Sequence, residues 1–215
     1  MNHTELKARH RAERDTWPNN LSLRVHRSLS WLHRAELCDD ADGRFIFLWI
    51  SFNAAYAQEL NSFNRASEKE RFEKFIAKLV DLDEGRQLHR LLWDTFSSTV
   101  RILLDNKFVY QPFWDAQLDE TVAATWEADF AQAKSRANQA LGRNDTATVL
   151  DIVLSRLYTL RNQLMHGGAT WDSSVNRDQM RDCSNFLGAL VPVMLTVIMD
   201  KPNTLWGDAC YPVVE

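Results

Sequence analysis

"NDTATVLDIVLSRLYTLRNQLMHGG", residues 144–168, decides the fold class. Val149 or Leu150, then Val153, Leu157, Leu160 and Leu164 recur every three to four residues, the spacing that puts side chains on one face of an α-helix. Gly167 and Gly168 follow, and glycine enters the left-handed helix stop without steric cost. The stretch predicts one long helix, apolar on one side and ending at Gly167. Its last turns carry a polar set: Arg161 and Asn162 are adjacent, and His166 comes five residues after the arginine.

The same period runs through the rest of the chain. "NNLSLRVHRSLSWLHRAEL", residues 19–37, predicts a helix capped by Asn19 or Asn20, with Val25, Leu29 and Leu32 inward. After the break at "DDADG", residues 44–61 predict a central helix with Phe45, Leu48, Trp49, Phe52, Tyr56 and Leu60 on one stripe. Further helices are predicted at 67–80, capped by Ser67, and at 84–105, with Leu88, Leu91, Leu92, Phe96 and Ile102. Another spans about 119–141 and is ended by Gly142. "DNKFVYQPFWD", residues 105–115, reads as irregular and aromatic, with Pro112 breaking any helix. "NRDQMRDCSNFLGALVPVMLTVIMD", residues 176–200, closes the set, with Cys183, Leu187, Leu190, Met194 and Val197 inward. No segment has the alternation of a strand. The fold class is all-α. Residues 1–18 read as a polar, loose arm, 19–200 as a single helical domain, and 201–215 as an irregular tail.

Composition bounds the function. The chain has 215 residues, 7 glycines and 5 prolines, which favours helices over a sandwich or barrel. Its formal net charge of −4 excludes a global basic field for non-specific duplex binding, leaving local anion sites open. Three scattered cysteines, Cys38, Cys183 and Cys210, fit a reducing compartment. The charged N-terminus has no apolar signal region, so a cytoplasmic location is expected. The apolar run at 186–199 is short for a membrane span and contains Pro192, so it reads as a buried core helix.

Spacing alone is a weak argument for Arg161 and His166. With 18 arginines and 6 histidines, one Arg-x4-His pair arises by chance in roughly half of such chains. Arg27 and His33 form a near-match one residue longer, inside a helix with no glycine after it. The 161–166 set differs in context: an amide follows the arginine, the histidine lies in the last turn, and two apolar turns precede them. On an ideal helix Arg161 and His166 point about 140° apart, so arginine's length, unwinding at His166 or a second copy across a two-fold axis would bring them to one ligand.

"LRNQLMHGG", residues 160–168, resembles the signature of HEPN domains, in which Arg, a polar residue, three variable residues and His stand near the end of a core helix. "FLWISFNAAYAQ", residues 47–58, is similar to the aromatic second helix of that family. The resemblance covers about residues 19–63 and 146–200 and leaves 67–142 as elaboration. It implies a HEPN-like antiparallel helical bundle with additional helices. It also implies a homodimer and metal-independent RNA cleavage with no cofactor, in a defence or toxin (toxin–antitoxin) setting. The residue types suit that reaction. A neutral His166 can take the proton of a ribose 2′-hydroxyl. Arg161 can hold phosphate oxygens bidentately, and Asn162 can orient either. Products would be 2′,3′-cyclic phosphates and 5′-hydroxyls, and DNA would survive. The alternative is a non-catalytic dimeric module binding nucleotide or a protein partner. RNA, a second copy and an antitoxin or other regulatory protein are the expected partners; a membrane is not.

Other constellations read as structural. His26 and His33 lie seven apart on one helix face, with Glu36 one turn on; with no further clustered ligand, solvated or capping roles fit better than metal. Asn53 reads as a buried hydrogen-bonding residue, with a supporting role at the site implied by the resemblance. Trp31, Trp49 and Trp93 read as core. Trp114 and Trp171 lie in loop-like segments, and Trp171, five residues past His166, is a candidate to line substrate.

Overall fold

The structure, a computed structural model, describes residues 1–56, 65–119, 125–174, 177–204 and 206, and for 65–69 the backbone alone. Its regular structure is helical, with no strand among the described residues. The chain divides into two compact units: Met1–Gln87 with Ser184–Glu215, and Leu88–Cys183. The sequence reading has one domain over 19–200 and an elaboration over 67–142. The boundaries fall instead after 87 and after 183, so that elaboration contributes to both units.

The first unit begins with a correction. Residues 1–18 are not a loose arm: α1 spans His3–Glu13. A reciprocal cap starts it, with Glu5 N–H donating to Asn2 Oδ1 at 3.0 Å and Asn2 N–H to Glu5 Oε2 at 3.1 Å. Leu6 and His10, one turn apart, are the residues it buries. Arg9 ties it to Asp200 at 2.7 Å. Trp17 is buried behind it, and α2 then runs Asn19–Glu36 from an N-cap at Pro18 that has no side-chain cap bond. The predicted asparagine caps are therefore the first helical residues. Val25, Leu29 and Leu32 are buried as the period requires.

The break before α3 (Ala41–Tyr56) falls at 37–40, and Asp40 caps the helix by accepting from Gly43 N–H at 2.7 Å. Phe45, Leu48, Trp49 and Phe52 are buried, while Tyr56 is half-buried and Leu60 lies outside the described residues. Two small residues let α2 and α3 meet closely. Ser28 Oγ donates to the Ser51 carbonyl at 2.8 Å, and Ser51 Oγ to the Ser28 carbonyl at 2.7 Å. One turn away on α2, Arg24 is buried and its Nη1 donates to the Ala55 carbonyl at 2.7 Å. That bond joins α2 to the last described turn of α3. Trp31, read as core, is partly exposed and stacks on Phe47.

α4 spans Arg65–Leu82, so Ser67 lies inside it rather than at its cap. The long closing helix, α10, spans Arg177–Asp200; Cys183, Leu187, Leu190, Met194 and Val197 are buried as predicted. By length and composition it passes for a membrane span, yet 67% of its apolar window is buried inside the protein. Gly188 has room only because it lacks a Cβ: one would come within 2.8 Å of the Arg44 guanidinium, which donates to Asn185 at 2.9 Å. Among the tail residues, Trp206 is buried and edges onto Phe75; 205 and 207–215 lie outside the description.

The predicted helix 84–105 is interrupted. Short α5 (Gln87–Arg90) passes into a π-turn at Leu91–Thr95, closed by Phe96 N–H to the Leu91 carbonyl at 2.9 Å, and α6 follows at Ser97–Asp105. Each extra residue in such a turn rotates the downstream face by roughly 100°. Val100, Leu103 and Leu104 therefore become the buried set, and Ile102, predicted inward, is 55% exposed. Pro112 does not break structure either. It sits in the first turn of α7 (Gln111–Leu118), where its missing N–H costs nothing. α8 (Trp126–Gly142) ends one step later than predicted, with Asn144 rather than Gly142 in the left-handed region at φ 55°.

α9 spans Thr146–Met165 and matches the opening stretch closely. Asp145 caps it, accepting from Thr148 N–H at 3.0 Å. Val149, Leu150, Val153, Leu157 and Leu160 are buried, and Leu164 is half-buried.

Candidate functional site

The end of α9 is built by its stop. Gly167 adopts φ 71°. Gly168 N–H donates to the Gln163 carbonyl at 2.7 Å, and Gly167 N–H to the Leu164 carbonyl at 3.3 Å. This paired arrangement satisfies the orphan carbonyls of the last turn and leaves His166 as the C-cap residue. Its imidazole is exposed and has no hydrogen bond or ion pair among the described residues.

Asn162 links the two ends of the motif. Its Oδ1 accepts from Arg161 Nη1 at 2.9 Å, and its backbone carbonyl accepts from His166 N–H at 3.0 Å. In helical projection Asn162 lies between the other two side chains, so the hydrogen bond draws the guanidinium into the sector that His166 occupies. Arg161 also lies over the Tyr158 ring, 5.9 Å from its centre. It is half-buried, which holds its stem while leaving the head reachable.

Trp171 is 74% exposed in the turn after the glycines, beside Asp172 at φ 51°. Asn53 belongs to α3 in the other unit; it is half-buried and makes no side-chain hydrogen bond among the described residues, unlike the buried partner-making role read from sequence. The His26, His33 and Glu36 set is divided among separate contacts. His33 stacks on His3, Glu36 accepts from His3 N–H at 2.9 Å, and His26 accepts from Lys7 Nζ at 3.0 Å. Among the described residues no group of three or more His, Cys, Asp or Glu stands ready for a metal ion. Cys183 is buried, which pushes its thiol up, and Cys38 is free and half-buried.

Several neighbours of the motif escaped the sequence reading. Gln163 Nε2 donates to the Phe108 carbonyl at 2.7 Å, tying the helix end to residues 107–109. The same carbonyl accepts from Trp114 Nε1 at 2.9 Å. Around it Lys107 lies 5.4 Å from the Phe108 ring centre, 5.2 Å from Phe113 and 6.0 Å from Trp126, and makes no ion pair among the described residues. A cation among aromatic faces is the composition that stacks bases and holds a phosphate backbone. The aromatic content of 105–115 was the available signal. Further up α9, buried Arg156 lies against the Tyr110 and Phe130 rings, 4.3 and 5.6 Å from their centres. Burial pulls its guanidinium down to about 10, the Tyr110 hydroxyl partly offsetting the effect.

No protein-family model, curated protein or solved structure matches the chain.

Proposed function

We propose that the chain is an endoribonuclease of HEPN type, in which His166 takes the 2′-hydroxyl proton and Arg161 stabilises the phosphate in the transition state. The observation that carries this reading is the end of α9. An exposed imidazole with no hydrogen bond or ion pair among the described residues ends the helix, five residues after a guanidinium that hydrogen-bonds Asn162. Base and phosphate clamp are the two roles that 2′-hydroxyl attack demands of a protein, and imidazole titrates in the right range for the first. Lys107 with Phe108, Phe113 and Trp126 offers a stacking face for unpaired bases.

A second copy supplies the leaving-group acid through its own His166. Tyr158 and Met165 favour this assembly: both are exposed apolar residues on α9, seven positions apart and hence on one face, flanking Arg161 and Asn162.

The test is incubation with mixed single-stranded RNA in a chelating buffer, followed by analysis of the ends. Cyclic 2′,3′-phosphates and 5′-hydroxyls are expected, with DNA untouched. Cleavage should fall by about 10²-fold or more in His166→Ala and Arg161→Ala. Intact RNA with wild-type protein would leave the non-catalytic dimeric module as the reading.

A further inference from the structure

A second polar site lies in the first unit, between α1 and the start of α2. A groove of about 520 Å³ is lined by His10, Arg14, Asn19, Asn20, Ser22, Leu23 and His26. Lys7 stands at its edge, with Nζ on His26 Nδ1 at 3.0 Å. The floor is the first turn of α2, an 18-residue helix whose N-cap, Pro18, contributes no side-chain cap. Helix N-termini present N–H groups and partial positive charge to whatever sits there.

His10 supplies the independent sign of a missing partner. It is only 1% exposed, its Nε2–H donates to the Ser22 carbonyl at 3.2 Å, and its Nδ1 is buried with no hydrogen-bond partner. Buried polar atoms are satisfied in the great majority of cases, so an orphan on the wall of a groove points to a group that belongs there. The surrounding charges have one sign. Burial lowers His10, and Lys7, His26 and Arg14 lower it further, against the Ser22 hydrogen bond. Burial lowers His26, and Lys7, Arg14 and Arg27 add to it. Burial and then Arg11 and Arg14 lower Lys7. The nearby acids are engaged elsewhere or exposed: Glu13 holds Arg9 at 2.9 Å, and Asp15 reaches Arg14 only at 3.6 Å from an exposed position. Two cations, with two imidazoles whose charged forms they disfavour, make a concave set that an anion relieves.

We propose that this groove binds the phosphoryl group of a nucleotide-sized small molecule, held by Arg14, Lys7, the imidazoles of His10 and His26, and the uncapped start of α2. Two permanent cations and two imidazoles match a dianion better than a carboxylate, and the volume is in the range of small-molecule sites. Binding lets His10 take a second proton from solvent, so affinity rises as pH falls through the histidine range. The site is independent of Arg161 and His166.

The test follows the histidine ring resonances of the whole protein while inorganic phosphate, and separately a nucleoside monophosphate, is added at constant ionic strength. Saturable shifts of His10 and His26 are expected, with the nucleotide binding more tightly than phosphate. Arg14→Ala and Lys7→Ala should each weaken binding at least about tenfold without changing helicity or the melting temperature. Retained cleavage activity in these variants would separate this site from the α9 motif. Shifts that sodium chloride reproduces, a nucleotide no tighter than phosphate, or full affinity in the Arg14→Ala Lys7→Ala double variant would overturn the proposal.

Discussion

Each unit buries an arginine, and the two are held in opposite ways. Arg24 in the first unit is 1% exposed and is committed: its Nη1 donates to the Ala55 carbonyl of α3. Arg156 in the second is 4% exposed and, among the described residues, has only the faces of Tyr110 and Phe130. The first is a structural tie between helices. The second is a charge whose desolvation no acid or carbonyl among the described residues offsets. The contrast extends to the surfaces. Among the described residues, Ile102, Phe108, Trp114, Leu118, Tyr158, Met165 and Trp171, all in the second unit, are exposed, against Met1, Trp31 and Leu37 in the first. The first unit turns its polar groups inward to build itself, and the second shows apolar rings and the α9 motif to solvent.

Substitutions can break or sharpen that comparison. Arg24→Met should cost about 1–3 kcal/mol in denaturant unfolding, because a buried carbonyl loses its donor. Gly167→Ala should cost about 1 kcal/mol, since alanine at φ 71° is strained, and it should displace His166 from the C-cap. Arg156→Met should change stability by less than about 1 kcal/mol, or raise it, since a flexible apolar side chain replaces a buried charge packed against two rings. If Arg156→Met costs as much as Arg24→Met, the two arginines do the same job and the contrast is wrong.

The smallest effect is one of pH. His3, His10 and His26, all in the first unit, have lowered folded values, chiefly through burial. The unfolded chain therefore binds more protons just below the ordinary histidine value of 6.5. Stability should be unaffected well above that value and decline as pH falls through it. A melting temperature that rises on acidification from neutrality to about pH 5.5 would contradict the assignment.

What sequence reading reached depended on how many residues carried each signal. α9 was legible from end to end because its stripe, its length and the Gly167 stop agree. α1 was not, since Leu6 and His10 alone turn inward and the remaining side chains look solvated. The π-turn at 91–95 has no residue type that announces it, and with it went the facing of Ile102. Pro112 illustrates position over identity: the residue that ends a helix also starts one. At the site, Arg161, Asn162 and His166 were readable as types at a spacing. The Arg161–Asn162 hydrogen bond was not, because adjacent helical residues point about 100° apart and only the length of arginine closes the gap. The α1–α2 groove joins residues of the stretch read as an arm to the helix that follows it, so no local pattern revealed it.

The account rests on Arg161 and His166 acting on one phosphate. The most direct measurement is single-turnover RNA cleavage by the wild type, His166→Ala, Arg161→Ala and the double variant, with folding checked by melting temperature. Groups that serve one transition state lose activity non-additively, so the double variant should be about as slow as the worse single variant. Single-variant losses that simply multiply, or a His166→Ala protein that cuts at the wild-type rate, would contradict it.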